Sequence, residues 1–129
     1  MRILLDTHVW LWMIAEPERL TRRLREALGS RDSTLFLSAA SAWEISIKYR
    51  LGKLPLPEPP RKFIPPRLLR DGVTPLPIEI AHASHVAGLP DHHRDPFDRL
   101  LVAQATLERM SLATVDPAFE RYGVRRVRT

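Results

Sequence analysis

The chain has 129 residues, a hydrophobic content of 44% and a formal net charge of +5, enough for one packed core and one domain over residues 1–129 and short for two. It contains no cysteine, which excludes a disulfide framework and thiolate metal sites and suits a reducing cytoplasm. The basic balance favours polyanionic partners such as nucleic acid, or an acidic protein, while Asp6 and His8 interrupt the first apolar run too early for a signal peptide or a membrane span.

Residues 2–5 make a short apolar run suited to a buried strand, and the run ends at Asp6. Thr7 can cap a helix over residues 8–14, apolar nearly all round and therefore buried on more than one side. Strand, polar tip and helix are the first half of a βαβ unit. Leu20, Leu24 and Leu28 predict an amphipathic helix over residues 17–28 closed by Gly29, with Arg19, Arg22, Arg23 and Arg25 on its other face, read as a solvated face ahead of an RNA-contact stripe.

Residues 34–37 predict the second strand, and Ser38 or Ser41 starts a helix that Gly52 ends. Ser41 and Glu44 have the capping-box spacing. Glu44 aligns with Ile47 and Leu51 on a buried stripe, and Lys48 stands four residues after it, where it can pair. Six prolines from Pro55 to Pro66 exclude central strands and long straight helices, leaving a connection with one short helix over residues 67–70.

Residues 73–76 predict a third strand and residues 78–87 a helix ended by Gly88. His82 and His85 lie three apart on it, but with no aligned acid or further histidine they read as a packed or solvated pair rather than a zinc site. After a loop over residues 89–94, Asp95 can cap free N–H groups while Pro96 takes the first helical position, which starts a helix over residues 96–110. Residues 111–115 predict a fourth strand. Asp116-Pro117 repeats the start signal for a brief helix over residues 119–122, and alternating valine and arginine over residues 124–128 predict a last edge strand.

This alternation predicts an α/β fold, a three-layer α/β/α sandwich around a short, mainly parallel sheet of four or five strands. In such sheets function collects at the carboxyl ends of the strands. Asp6 and Asp116 stand at two strand tips, and Glu44 and Asp98 fall in the first turns of helices that begin at that edge, Asp98 in line with the apolar Leu101, Val102 and Ala105. A capping role is open to each acid taken alone. Four together repel by about 4 kcal/mol per close pair at an effective dielectric of about 20, so they need a proton or a cation. Magnesium or manganese, hard ions with oxygen ligands, meet that need and lead to phosphodiester hydrolysis. The first strand-helix turn, Asp6-Thr7-His8, has no glycine, which counts against a nucleotide-binding Rossmann domain.

Leu4-Leu5-Asp6-Thr7-His8, Ser41-Ala42-Trp43-Glu44-Ile45, His93-Arg94-Asp95-Pro96-Phe97-Asp98-Arg99 with the helix after it, and Ala113-Thr114-Val115-Asp116 closely resemble the motifs of PIN-domain proteins. The likeness covers essentially the whole chain, in order, and is to the VapC-like toxins of bacterial type II toxin-antitoxin pairs. The resemblance implies a magnesium- or manganese-dependent ribonuclease, usually a homodimer, silenced by a cognate antitoxin. Asp6, Glu44 and Asp98 match the three principal acids and Asp116 the more variable fourth. Asp95 falls inside the matching motif as a second-tier metal residue whose main role is the N-cap.

Two other functions stay open: a catalytically silent PIN-like domain that binds RNA or a protein, and a metal-dependent phosphohydrolase acting on small esters or DNA. Thr7, His8, His92, His93, Arg94 and Arg99 are candidates to bind phosphates or orient a ligand, with loop packing an equal reading for the histidines and pairing with another acid an equal one for Arg99. Trp10, Trp12 and Trp43 fall in apolar helical stretches and read as core or dimer interface, since base-stacking platforms need exposed rings.

Overall fold

The computed structural model describes residues 1–91 and 94–127, so the expectations for His92, His93 and Arg128 lie outside the described residues. Four strands, β1 (Arg2–Leu5), β2 (Thr34–Ser38), β3 (Thr74–Leu76) and β4 (Ser111–Ala113), pair in parallel in the order β3-β2-β1-β4. β1 is central, with Ile3 opposite Leu35 on one side and Ser111 on the other. Its alternation divides the core. Ile3 and Leu5 join an apolar cluster with Val9, Trp10, Leu24 and Leu37, whereas Leu4 joins a second with Leu101, Val102, Leu112 and Phe119. Both faces of the sheet are therefore covered, as a parallel sheet requires.

Helices α1 (Thr7–Ala15) and α2 (Arg22–Gly29) feed the first cluster. α3 (Ala39–Arg50) touches α1, α4 (Pro60–Asp71) and α6 (Pro96–Leu107), and α5 (Ile80–His85) packs on α6 over the second cluster. No described helix is long and apolar enough to cross a membrane.

The helix expected over residues 17–28 is broken in two. A 3-10 turn at Pro17–Arg19 is followed by extended Leu20 and Thr21, and the Thr21 hydroxyl accepts the Leu24 N–H at 3.2 Å to start α2. A local cap outcompetes continuation of the helix, and Leu20 still reaches the core beside Leu24 and Leu28.

The proline-rich connection also departs from expectation. α4 runs from Pro60 to Asp71 with Pro65 and Pro66 inside it. Pro60 sits at the helix start, and the two interior prolines release the carbonyls of Arg61 and Lys62. Both of these residues are exposed, on the side of the helix open to solvent, while Ile64 and Leu68 anchor the inner side. In β3, Pro75 occupies the middle of the three residues of an edge strand, where proline is tolerated.

The fourth strand stops at Ala113, the helix expected over residues 78–87 shortens to α5 and a 3-10 turn at Val86–Gly88, and the segment after Asp116 is a 3-10 turn at Pro117–Tyr122. α6 ends at Leu107 because Arg109 turns the chain at φ 54°. The expected fifth strand is a single parallel bridge between Leu112 and Arg126, held by Leu112 N–H to Arg125 O at 2.8 Å and Val127 N–H to Leu112 O at 3.0 Å.

Candidate active site

β1 and β4 end side by side, and the Asp6 N–H carries the ladder one step further to Ala113 O at 2.9 Å. Asp6 has N-cap backbone angles at the start of α1, but its side chain makes no capping hydrogen bond there. Its Oδ2 instead accepts the Thr114 hydroxyl at 2.8 Å, and both residues are buried. Burial pushes the Asp6 carboxyl above its ordinary value, and the Thr114 hydrogen bond only partly offsets this. Thr114 Oγ1 also accepts the Asp116 N–H at 3.0 Å, so one hydroxyl serves two acids. Asp116 caps the turn that follows, its Oδ1 accepting the Ala118 N–H at 2.9 Å.

On α3 the true cap is Ser38, whose Oγ accepts the Ala40 N–H at 3.0 Å. Glu44 therefore lies in the second turn, and the capping box expected from Ser41 does not form. Ser41 Oγ accepts the Thr7 hydroxyl at 2.8 Å, tying α1 to α3 and committing Thr7, expected to face a ligand, to a buried internal bond. The alignment expected for Glu44 is also different. Glu44 is 3% exposed whereas Ile47 and Leu51 are 38% and 62% exposed, and its buried companions are Ala40, Ser41 and Ile45. The Lys48 pair is present, with Nζ donating to Oε2 at 2.7 Å. It leaves Glu44 Oε1 buried without a hydrogen-bond partner.

At the start of α6, Asp95 is the cap the sequence predicts, its Oδ1 accepting the N–H groups of Phe97 at 2.8 Å and Asp98 at 3.3 Å. Burial first, and then the charges of Asp6, Asp95, Glu44 and Asp116, together push the Asp98 carboxyl up to about 8. Five acids from four parts of the chain thus meet in one electrostatic field, with Asp98 at its centre.

As the side chains stand, no three of the described His, Asp or Glu residues are arranged to hold a single ion. The donor chemistry nonetheless fits a hard divalent cation. The donors are carboxylate oxygens, burial and then the repulsion of the other acids keep Asp98 protonated at neutral pH, and one buried Glu44 oxygen lacks a donor.

Neighbouring side chains divide sharply. Arg99 clamps the loop after α5, donating to the carbonyls of Pro90 at 2.8 Å, Val86 at 3.1 Å and Leu89 at 3.3 Å, with exposed Asp91 at 3.7 Å. His8 and Arg94 are exposed, and His8 acts electrostatically on Asp6. His82 is the packed histidine expected, its Nδ1 accepting the Glu79 N–H at 3.0 Å. Trp10 is core and Trp12 lies under the Arg19 guanidinium at 4.6 Å. Trp43 is not core. It is 59% exposed and meets Phe97 edge-on at 5.2 Å, joining α3 to α6 beside Glu44 and Asp98.

Sequence reasoning missed Thr114 and Ser41 as supports of the acids. For Thr114 a signal existed, since a threonine two residues before Asp116 has the spacing of a hydroxyl turn.

A PIN domain family model matches residues 3–125. Ribonuclease VapC22 from Mycobacterium tuberculosis is 30% identical over 115 residues, covering 88% of this chain and 86% of that relative. Ribonuclease VapC16 from the same organism is 55% identical over 53 residues, 41% of this chain, and the chain spans 38% of the length of VapC16. The crystal structure of VapBC2 from Rickettsia felis, bound to a DNA fragment from its promoter, shares the fold at a TM-score of 0.72 and 16% identity, covering 99% of this chain and 98% of that one. With the family model spanning nearly all of a parallel sheet whose carboxyl edge gathers these acids, the chain belongs to the PIN domain family.

Proposed function

We propose that this chain is an endoribonuclease dependent on magnesium or manganese, the toxin of a toxin-antitoxin pair, working in the cytoplasm as a single-domain homodimer and held in check by a cognate antitoxin. The observation that carries this reading is the convergence of Asp6, Glu44, Asp95 and Asp116 on the half-buried Asp98. The ribonuclease names of VapC22 and VapC16 support it, as do the motifs that resemble VapC-like toxins.

In this reading Asp6, Glu44, Asp98 and Asp116 would hold the ion, with Asp95 assisting from its capping position. The bound ion supplies an activated water and charge stabilisation for phosphodiester hydrolysis. The rest is the work of the chain. Thr114 holds the Asp6 carboxylate and the Asp116 backbone in one register. The Thr7–Ser41 bond keeps the start of α1 against the helix that carries Glu44, and the edge-on Trp43–Phe97 contact does the same between Glu44 and Asp98. Such fixed placement of charged groups is where enzymes gain most of their electrostatic stabilisation.

Purified protein is expected to cut RNA with magnesium or manganese and to stop on addition of a chelator, leaving DNA and small phosphate esters intact. An Asp98→Asn variant that cuts as fast as the parent overturns the assignment. RNA binding without cleavage, indifferent to divalent ions, replaces it with a silent binding domain.

A further inference from the structure

The Glu44–Lys48 contact has the spacing of an ordinary helical ion pair, but its surroundings are not ordinary. The Glu44 side chain is 4% exposed and the Lys48 side chain 39% exposed, so a half-solvated ammonium reaches inward to a buried carboxylate at 2.7 Å. Three other intrahelical or turn pairs of the chain, Arg19 with Glu16, Arg22 with Glu26 and Arg67 with Asp71, have both partners at least 26% exposed and serve no buried group. Asp95 and Asp98 also act on the Lys48 charge. The ammonium satisfies one Glu44 oxygen only, Oε1 stays buried without a donor, and the Glu44 charge acts on Asp98.

We infer that Lys48 is the resident cation of the metal-free site, seated on Glu44 in competition with a divalent ion, so that the protein's metal affinity is set by how readily this ammonium gives way. The inference rests on the metal-dependent reading above. A lysine suits the task better than an arginine. Its charge is compact, it holds the carboxylate through one contact and not a bidentate fork, and its flexible stem returns the ammonium to water without moving the backbone. In the empty site it offsets charge that would otherwise oppose folding. Once the carboxylates take an ion, its place on Glu44 is lost.

The test is manganese binding by the full chain, stripped of metal and free of RNA, read by electron paramagnetic resonance of free Mn2+. Lys48→Met is expected to bind Mn2+ about fivefold more tightly than the parent, the range of an ion pair with one exposed partner. Lys48→Arg should bind Mn2+ no more tightly than the parent, because the charge is kept and the guanidinium fork gives way less readily. The thermal shift produced by saturating Mn2+ should be larger for Lys48→Met than for the parent, which gives a second reading, and Lys48→Gln serves if the methionine variant does not fold.

In a Glu44→Gln background the Lys48→Met gain should vanish. If it persists there, the lysine acts as a distant field and the inference is overturned. If the parent binds Mn2+ and Lys48→Met binds it no more tightly, the inference fails while the metal-dependent reading stands. If neither protein binds Mn2+, both fail.

Discussion

The acids of the site fall into two regions, a rim and a floor. On the rim, Asp95 and Asp116 cap helical turns, their carboxylates accepting backbone N–H groups that would otherwise lack a partner. On the floor, Asp6 and Asp98 carry carboxyls raised by burial, and Glu44 keeps one buried oxygen without a donor. Rim acids contribute to folding wherever they serve. Floor acids are held against folding stability, and groups held at such a cost point to function, because activity and stability compete for the same positions.

The largest expected difference is in catalysis. Asp98→Asn should lower RNA cleavage in magnesium by more than about 100-fold, beyond the loss usual for outer-shell groups, whereas Asp95→Ala should lower it by less than about tenfold. Equal losses in a steady-state assay would erase the distinction between floor and rim.

Thr114→Val removes the hydroxyl shared by Asp6 and the Asp116 backbone. It should destabilise the fold by about 1–3 kcal/mol in urea titrations, since a buried carboxylate and a partly buried N–H lose a partner. Asp95→Ala should be milder, at about 1 kcal/mol for a lost cap, while Asp98→Asn should leave the metal-free protein as stable as the parent or more so.

A separate effect is on pH dependence. Asp98 rises from 3.8 to about 8 on folding, so between these values the folded state keeps a proton that the unfolded chain has released. With more protons bound in the folded state, this contribution to stability falls as pH rises through that interval. Thermal melts of metal-free protein between pH 5 and pH 8 should therefore decline more steeply for the parent than for Asp98→Asn. Parallel curves would remove Asp98 from the floor.

Much of this was legible in the sequence because it is local. The run before Asp6, the Asp95-Pro96 start and the alternation of short strands with helices placed the sheet and the acids at its carboxyl edge. Glu44 was found for a reason that the structure replaces. The stripe through Ile47 and Leu51 is exposed, and Glu44 is buried because α3 lies against α1, α4 and α6 together. Periodicity reports which residues share a helix face, and only the fold decides which face is covered. Thr21 and α4 show the opposite limit, where a side-chain cap ends a periodic leucine run and anchored leucine and isoleucine carry a helix through two prolines. The hydroxyl supports of the site join residues 34 and 108 positions apart in the chain, beyond the reach of spacing rules.

The two margins of the sheet carry a further consequence. At one, Pro75 in the middle of β3 provides no N–H. At the other, the N–H and carbonyl of Leu112 are taken by Arg125 and Val127. Neither side presents an unbroken row of donors and acceptors onto which a foreign strand can zip, the feature that turns exposed sheets into templates for aggregation. Among the described residues, a partner protein would therefore be offered side chains rather than a continuous sheet edge to extend.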